Sequence, residues 1–183
     1  LGGMIAMGLG IVSPSLLAGV ILNDIGPDIS LNGFKQLCSY LRSQKTYSDW
    51  QEVVKNLKSF FPDLGLNPYS NWIEIAKKNH CVTGDGTITR DWDQNIDGLI
   101  NRVDLKKIDL WPLFRSLKRI PLVTLRAEFS NILSEGTLEK MRQQVPAMRT
   151  FVIPGVGHAP SLMEPLSKNV LTNFFSEVDN HYL

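Results

Sequence analysis

A histidine can do proton-transfer chemistry when a freely bending backbone presents it at the end of a buried strand, and Pro154-Gly155-Val156-Gly157-His158-Ala159-Pro160 reads in that way. Arg149-Thr150-Phe151-Val152-Ile153, just before it, has the apolar and β-branched character of a strand. The glycines after it let the loop aim an imidazole over the C-terminal edge of a sheet. Such a ring takes a proton from a nucleophile and returns it to a leaving group, because its pKa lies near neutrality. A solvated surface histidine is the plainer reading, and it is the one expected of His80, in an insertion, and His181, in the tail. A second polar point stands at Asn23-Asp24, where an apolar run from Leu17 ends beside the turn pair Gly26-Pro27. Strand ends of this kind often carry chemistry, and the plainer role for Asp24 is that of a turn residue.

The elements that must position these groups are read from patterning. Leu1 to Gly10 mixes small and large apolar residues with no polar face, which predicts a helix buried against a sheet, its glycines permitting close approach. Leu17 to Asn23 reads as a buried parallel strand. From about Ser30 to Leu110 the character changes, with amphipathic stretches such as Trp50 to Phe61, capped by Ser48 or Asp49, and Asn71 to Lys78, and then a turn at Thr83-Gly84-Asp85-Gly86. Strand grammar then returns at Ile120 to Arg126, a helix at Ser134 to Gln144, the strand at Arg149 to Ile153, and a closing amphipathic helix from Glu164 to Val178. This order implies an α/β fold, a parallel sheet with covering helices interrupted by a mostly helical insertion. The expected division is 1–30 and 111–183 as core and 31–110 as insertion.

Composition narrows the partners. The 183 residues carry 19 Lys and Arg against 18 Asp and Glu, so no strong field favours nucleic acid or an anionic membrane, and small neutral substrates stay open. The opening apolar stretch is broken by Gly2, Gly3, Gly8, Gly10 and Pro14 and is too short to cross about 30 Å of hydrocarbon, so neither a signal peptide nor a membrane span is expected. Cys38 and Cys81 stand far apart with no metal-ligand spacing, which points to two free thiols in a reducing, cytoplasmic setting, with no metal and no cofactor. The lack of an initiating Met suggests a chain cut from something longer.

Three segments in this order resemble the alpha/beta-hydrolase superfamily. Leu1-Gly2-Gly3-Met4 is similar to the residues after the serine of its Gly-x-Ser-x-Gly-Gly elbow, Val20 to Pro27 to the next strand, and Pro154 to Pro160 to its histidine loop. The strand ending at Arg126, with Glu128-Phe129-Ser130-Asn131-Ile132-Leu133 after it, resembles the acid-bearing segment. The resemblance implies His158 as catalytic base, a nucleophile in the position before Leu1, and the Leu1 N–H as one oxyanion-hole donor. It places Asn131 where an Asp is usual, and an amide there stabilises imidazolium poorly. Asp24 stands where some members, notably certain dehalogenases, supply the acid instead, so His158's partner is left open between Asp24 and a weakened Asn131. Residues 31–110 correspond to the family's cap. Trp50, Phe60 and Phe61 are assigned to the cap's own core, while Trp72, Trp92 and Trp111 either line an apolar substrate pocket or join such a core.

These features predict a serine-type hydrolase of small, largely apolar esters or related carbonyl substrates, working through an acyl-enzyme. Asn131 favours a second possibility, a catalytically impaired hydrolase-fold protein that binds a ligand or partner under its cap. A dehalogenase or C–C bond hydrolase is a third, since fold does not fix reaction. The chain alone is expected to be inactive and to need the missing N-terminal half of the same fold as its partner, with an exposed sheet edge promoting association.

Overall fold

The computed structural model describes residues 2–43, 45–65, 69–93, 95 and 109–182. Three parallel strands form the main sheet in the order β1–β4–β5, with β1 at Val20–Asn23, β4 at Leu122–Ala127 and β5 at Arg149–Ile153. The register pairs Asn23 with Leu125 and Ala127 with Ile153, so the C-terminal ends of all three strands open on one edge. Every residue of β4 is buried, as expected of a strand covered on both faces. Side chains alternate across it. Val20, Leu22 and Leu122 join Met7, Phe114, Leu117 and Met141 on one side. Val123, Leu125 and Ala127 meet Val170 and Phe174 on the other.

Helix α1 (Gly2–Val12) and helix α5 (Trp111–Ser116) cover the first face. Glycine makes their approach possible: a Cβ on Gly3 would stand 2.6 Å from the Ile25 side chain, and one on Gly10 would run into Ser116 and Leu117. Helix α6 (Glu135–Gln144) starts where the Ser134 hydroxyl accepts the Thr137 N–H at 3.0 Å, and it packs Leu138 and Met141 into the same cluster. Helix α7 (Pro165–Tyr182) covers the second face. The opening helix departs from expectation on its outer side: Ile5, Ile11 and Val12 are exposed, and Leu16 beyond it is 72% exposed. An apolar helix without a polar face therefore has only one side covered by the described residues.

Between β1 and α5 lie α2 (Leu31–Arg42), α3 (Trp50–Phe60) and α4 (Tyr69–Asn79), and then an antiparallel pair, β2 (His80–Val82) and β3 (Ile88–Arg90). Asp49 caps α3 by accepting the Glu52 N–H at 2.9 Å, while the Glu52 carboxylate accepts the Ser48 N–H at 3.0 Å, a reciprocal capping box. The expected turn at residues 83–86 is present, and it joins two short strands within a segment whose patterning reads as mostly helical. Its Asp85 carboxylate accepts from the Thr83 hydroxyl and from the N–H and hydroxyl of Thr87, which holds its pKa down at about 2. This segment has its own aromatic cluster around Tyr40, Tyr47, Val53, Val54, Leu57, Trp72 and Ile88.

Candidate active site

At the open end of the sheet, β1 finishes in Asn23 and turns at Asp24, whose backbone adopts φ 55°. Aspartate is one of the few side chains that tolerate this left-handed region, and such residues gather at functional sites. Its N–H donates to the Leu125 carbonyl at 2.7 Å, which extends the β1–β4 ladder by one residue and directs the side chain inward. The carboxylate is wholly buried. One oxygen, Oδ1, accepts the Ala127 N–H at 2.9 Å, and the other, Oδ2, lies 2.7 Å from Nδ1 of His158. A buried carboxylate is thus bound on both oxygens, with a charge-assisted partner on one.

The histidine loop is built onto the same strand ends. Glu128 and Phe129, just past β4, donate their N–H groups to the carbonyls of Ile153 and Val156 at 3.0 Å each. The Glu128 carboxylate accepts the Gly155 N–H at 2.7 Å, so this residue acts on the loop's backbone. The Asn23 amide donates to the Pro160 carbonyl at 2.9 Å. Beyond the loop, Glu164 accepts from the N–H and hydroxyl of Ser161 and from the hydroxyl of the buried Ser167, which ties the loop to the start of α7. Burial pushes the Glu164 pKa up, but the hydrogen bonds from Ser167 and Ser161 outweigh it and hold the carboxyl below its usual range. The His158 side chain remains 23% exposed, so the ring is gripped at Nδ1 without being sealed from its surroundings.

Of the two residues left open as ring partner, the structure brings Asp24 to His158. Asn131 requires a correction: it is exposed on the turn after β4, and its amide donates to the Gln36 side chain of α2 at 2.8 Å. Its loop is drawn in that direction by the Ser130 hydroxyl, which accepts the N–H groups of Ile132 and Leu133, and by the Ser30 N–H, which donates to the Ile132 carbonyl at 3.0 Å. His80 also departs from expectation. It is 4% exposed, its Nδ1 lies 3.1 Å from the Ala76 carbonyl, and Tyr47 and Trp92 flank the ring. Burial pushes its pKa down.

The three tryptophans lie within hydrophobic clusters. Trp72 is 4% exposed in the aromatic cluster, Trp92 packs against that cluster beside Tyr40, and Trp111 packs edge-on to Phe114 beneath the sheet. Arg90 lies between Tyr40 and Trp92, its guanidinium 4.2 and 4.7 Å from their ring centroids. Leu1 and the side chain of His181 lie outside the described residues. Among the described residues, no group of His, Cys, Asp and Glu is arranged to hold a metal ion, and no helix is long and apolar enough to cross a membrane.

The parallel sheet, its covering helices and the order of the strand ends identify the fold: the chain has the architecture of the C-terminal half of an alpha/beta hydrolase. It is similar to an alpha/beta hydrolase from Novosphingobium aromaticivorans, with 29% identity and a TM-score of 0.86 over 95% of this chain and 62% of that one. It superposes on an E-2-(acetamidomethylene)succinate hydrolase with a TM-score of 0.76 and 21% identity, covering 93% of this chain and 62% of that one. Among curated proteins it resembles the 3-hydroxybutyrate-oligomer hydrolase of Cupriavidus necator, at 22% identity over 96% of this chain and 62% of that protein. The chain therefore spans 62% of the length of these relatives. No family model matches it.

Proposed function

We propose that this chain forms the histidine-bearing part of a serine-type hydrolase of small, largely apolar esters or related carbonyl substrates. The observation that carries the reading is the 2.7 Å contact between His158 Nδ1 and a buried Asp24 carboxylate whose other oxygen is already bound. A carboxylate at Nδ1 fixes the proton on that nitrogen and leaves Nε2 as the base. In the longer protein, Nε2 would take the proton of a serine hydroxyl in the position before Leu1 as that oxygen attacks the substrate carbonyl. The same proton then passes to the leaving alcohol as the acyl-enzyme forms. Water repeats the sequence to release the acid, and Asp24 stabilises the imidazolium present at each transfer. The Leu1 N–H would donate to the oxyanion.

The names of the relatives, a hydrolase of 3-hydroxybutyrate oligomers and one of an acetamidomethylene succinate, support carbonyl substrates of modest size. Residues 31–110 would act as the cap. The N-terminal half of the same fold would pair with the free edge of β1 and cover the bare face of α1. Asn131 is the feature that favours an impaired binding protein, and with Asp24 on the ring it does not weaken the triad. The test is hydrolysis of an activated aryl ester by the full-length protein. His158→Ala is expected to lower kcat by about 10⁴-fold. Unchanged turnover in that variant overturns the reading.

A further inference from the structure

The loop bearing His158 is anchored from two directions. One set of contacts comes from the strand ends: Glu128 on the Gly155 N–H, Phe129 on the Val156 carbonyl, Asn23 on the Pro160 carbonyl and Asp24 on the ring. The other comes from the segment just past α3. The Gly157 N–H, in the residue just before His158, donates to the Asp63 carbonyl. The two backbones meet closely, since a Cβ on Gly157 would stand 2.9 Å from the Asp63 Cβ and 3.1 Å from its carbonyl oxygen. Gly65, at φ 65°, returns the contact: a Cβ there would collide with the Val156 side chain and come within 3.0 Å of the Gly155 carbonyl.

Gly155 and Gly157 leave the loop little stiffness of its own, so its external anchors decide where the ring points. The segment supplying this second anchor is itself held. Val53, Val54 and Leu57 of α3 are buried in the aromatic cluster, and the Phe60 carbonyl at the end of α3 accepts the Gln36 amide. Gln36 is the residue that takes Asn131, so hydrogen bonds link the turn after β4 through α2 to the end of α3. From there residues 61–65 reach the peptide next to the histidine.

We propose that residues 61–65 are a positioning strap for His158, through which the packing of the aromatic segment sets the orientation of the imidazole. The assignment rests on the hydrolase reading above for its kinetic consequence, but its structural part is tested without turnover. In the full-length protein, the Gly157 amide should exchange slowly with solvent, as a hydrogen-bonded group does. Gly65→Ala and Gly157→Ala should each move the His158 ring resonances in ¹H–¹⁵N NMR. Each should also lower kcat on an aryl ester by about ten- to a hundred-fold, the scale of a misplaced catalytic group, with KM within about two-fold. Gly84→Ala, in the hairpin turn of the same segment where a Cβ meets nothing within 4 Å, should change neither.

Fast exchange at the Gly157 amide overturns the proposal, and this measurement needs no variant to fold. Unmoved His158 resonances in a folded Gly65→Ala or Gly157→Ala protein overturn it as well. If the wild-type protein hydrolyses no ester while the exchange and the resonances behave as stated, the hydrolase reading fails and the strap stands.

Discussion

Among the described residues, two buried or half-buried histidines have surroundings that differ in kind. His80 begins β2 beneath an aromatic cluster, and its Nδ1 reaches a backbone carbonyl four residues away, a local contact that satisfies a polar atom within a small core. His158 reaches a carboxylate 134 residues away in the sequence, and its ring stays partly open. The aromatic segment uses its polar groups to complete packing, as Arg90 between Tyr40 and Trp92 also shows. The sheet end holds a charged group, Asp24, in a left-handed conformation and fully buried, a cost that packing alone does not explain. Burial of a histidine is thus no sign of chemistry by itself. A remote, oriented carboxylate beside a partly exposed ring is a better one.

Replacing the groups at each histidine should separate the two roles. The largest effect is expected from Asp24→Asn in the full-length protein, which should lower turnover by about 10⁴-fold by disturbing the tautomer and charge of His158. Steady-state kinetics measures it, and a loss under ten-fold would detach Asp24 from the chemistry. His80→Ala should instead cost about 2 kcal/mol of stability through lost packing, with kcat preserved in the folded fraction. Because burial depresses the folded-state pKa of His80, its unfolded form binds protons first as pH falls. Its contribution is therefore present above its ordinary pKa of 6.5 and lost as pH falls through the lower, folded value. Urea midpoints should decline in wild type across that window, and the decline should be shallower in the variant.

Asn131→Asp should leave turnover within about two-fold, since that side chain serves Gln36 and the ring already has a carboxylate. A strong rise would return Asn131 to the site. The smallest effect is expected at Glu164, whose depressed pKa makes its contribution present above the ordinary carboxyl range and lost as pH falls through the folded value. The difference in urea midpoint between wild type and Glu164→Gln should therefore shrink in acid.

Local patterning makes much of the core legible. The strand at Arg149 to Ile153 and the helix from Ser134 to Gln144 are visible in the patterning, and the glycines around His158 announce a loop built to aim a side chain. The features that escape local patterning depend on tertiary pairing. Nothing local distinguishes Asp24 from a turn residue, because its partnership arises only when the parallel register sets Asn23 beside Leu125 and carries the next residue toward the histidine loop. His80 reads as solvated because it falls in the insertion, whereas β2 turns it under Tyr47 and Trp92. The hairpin strands have three residues each, too few for alternation to show. The meeting of Asp63 with Gly157 is backbone to backbone and leaves only the glycines as a trace.

The pairing of His158 with Asp24 is tested most directly by the Nδ1 proton of His158, observed by ¹H NMR in the full-length protein. A carboxylate 2.7 Å away should hold that proton in a strong hydrogen bond and move its resonance far downfield. The signal should vanish or shift strongly upfield in Asp24→Asn and persist in Asn131→Ala. A signal that survives Asp24→Asn unchanged, or is lost in Asn131→Ala, would contradict the pairing on which the site is built.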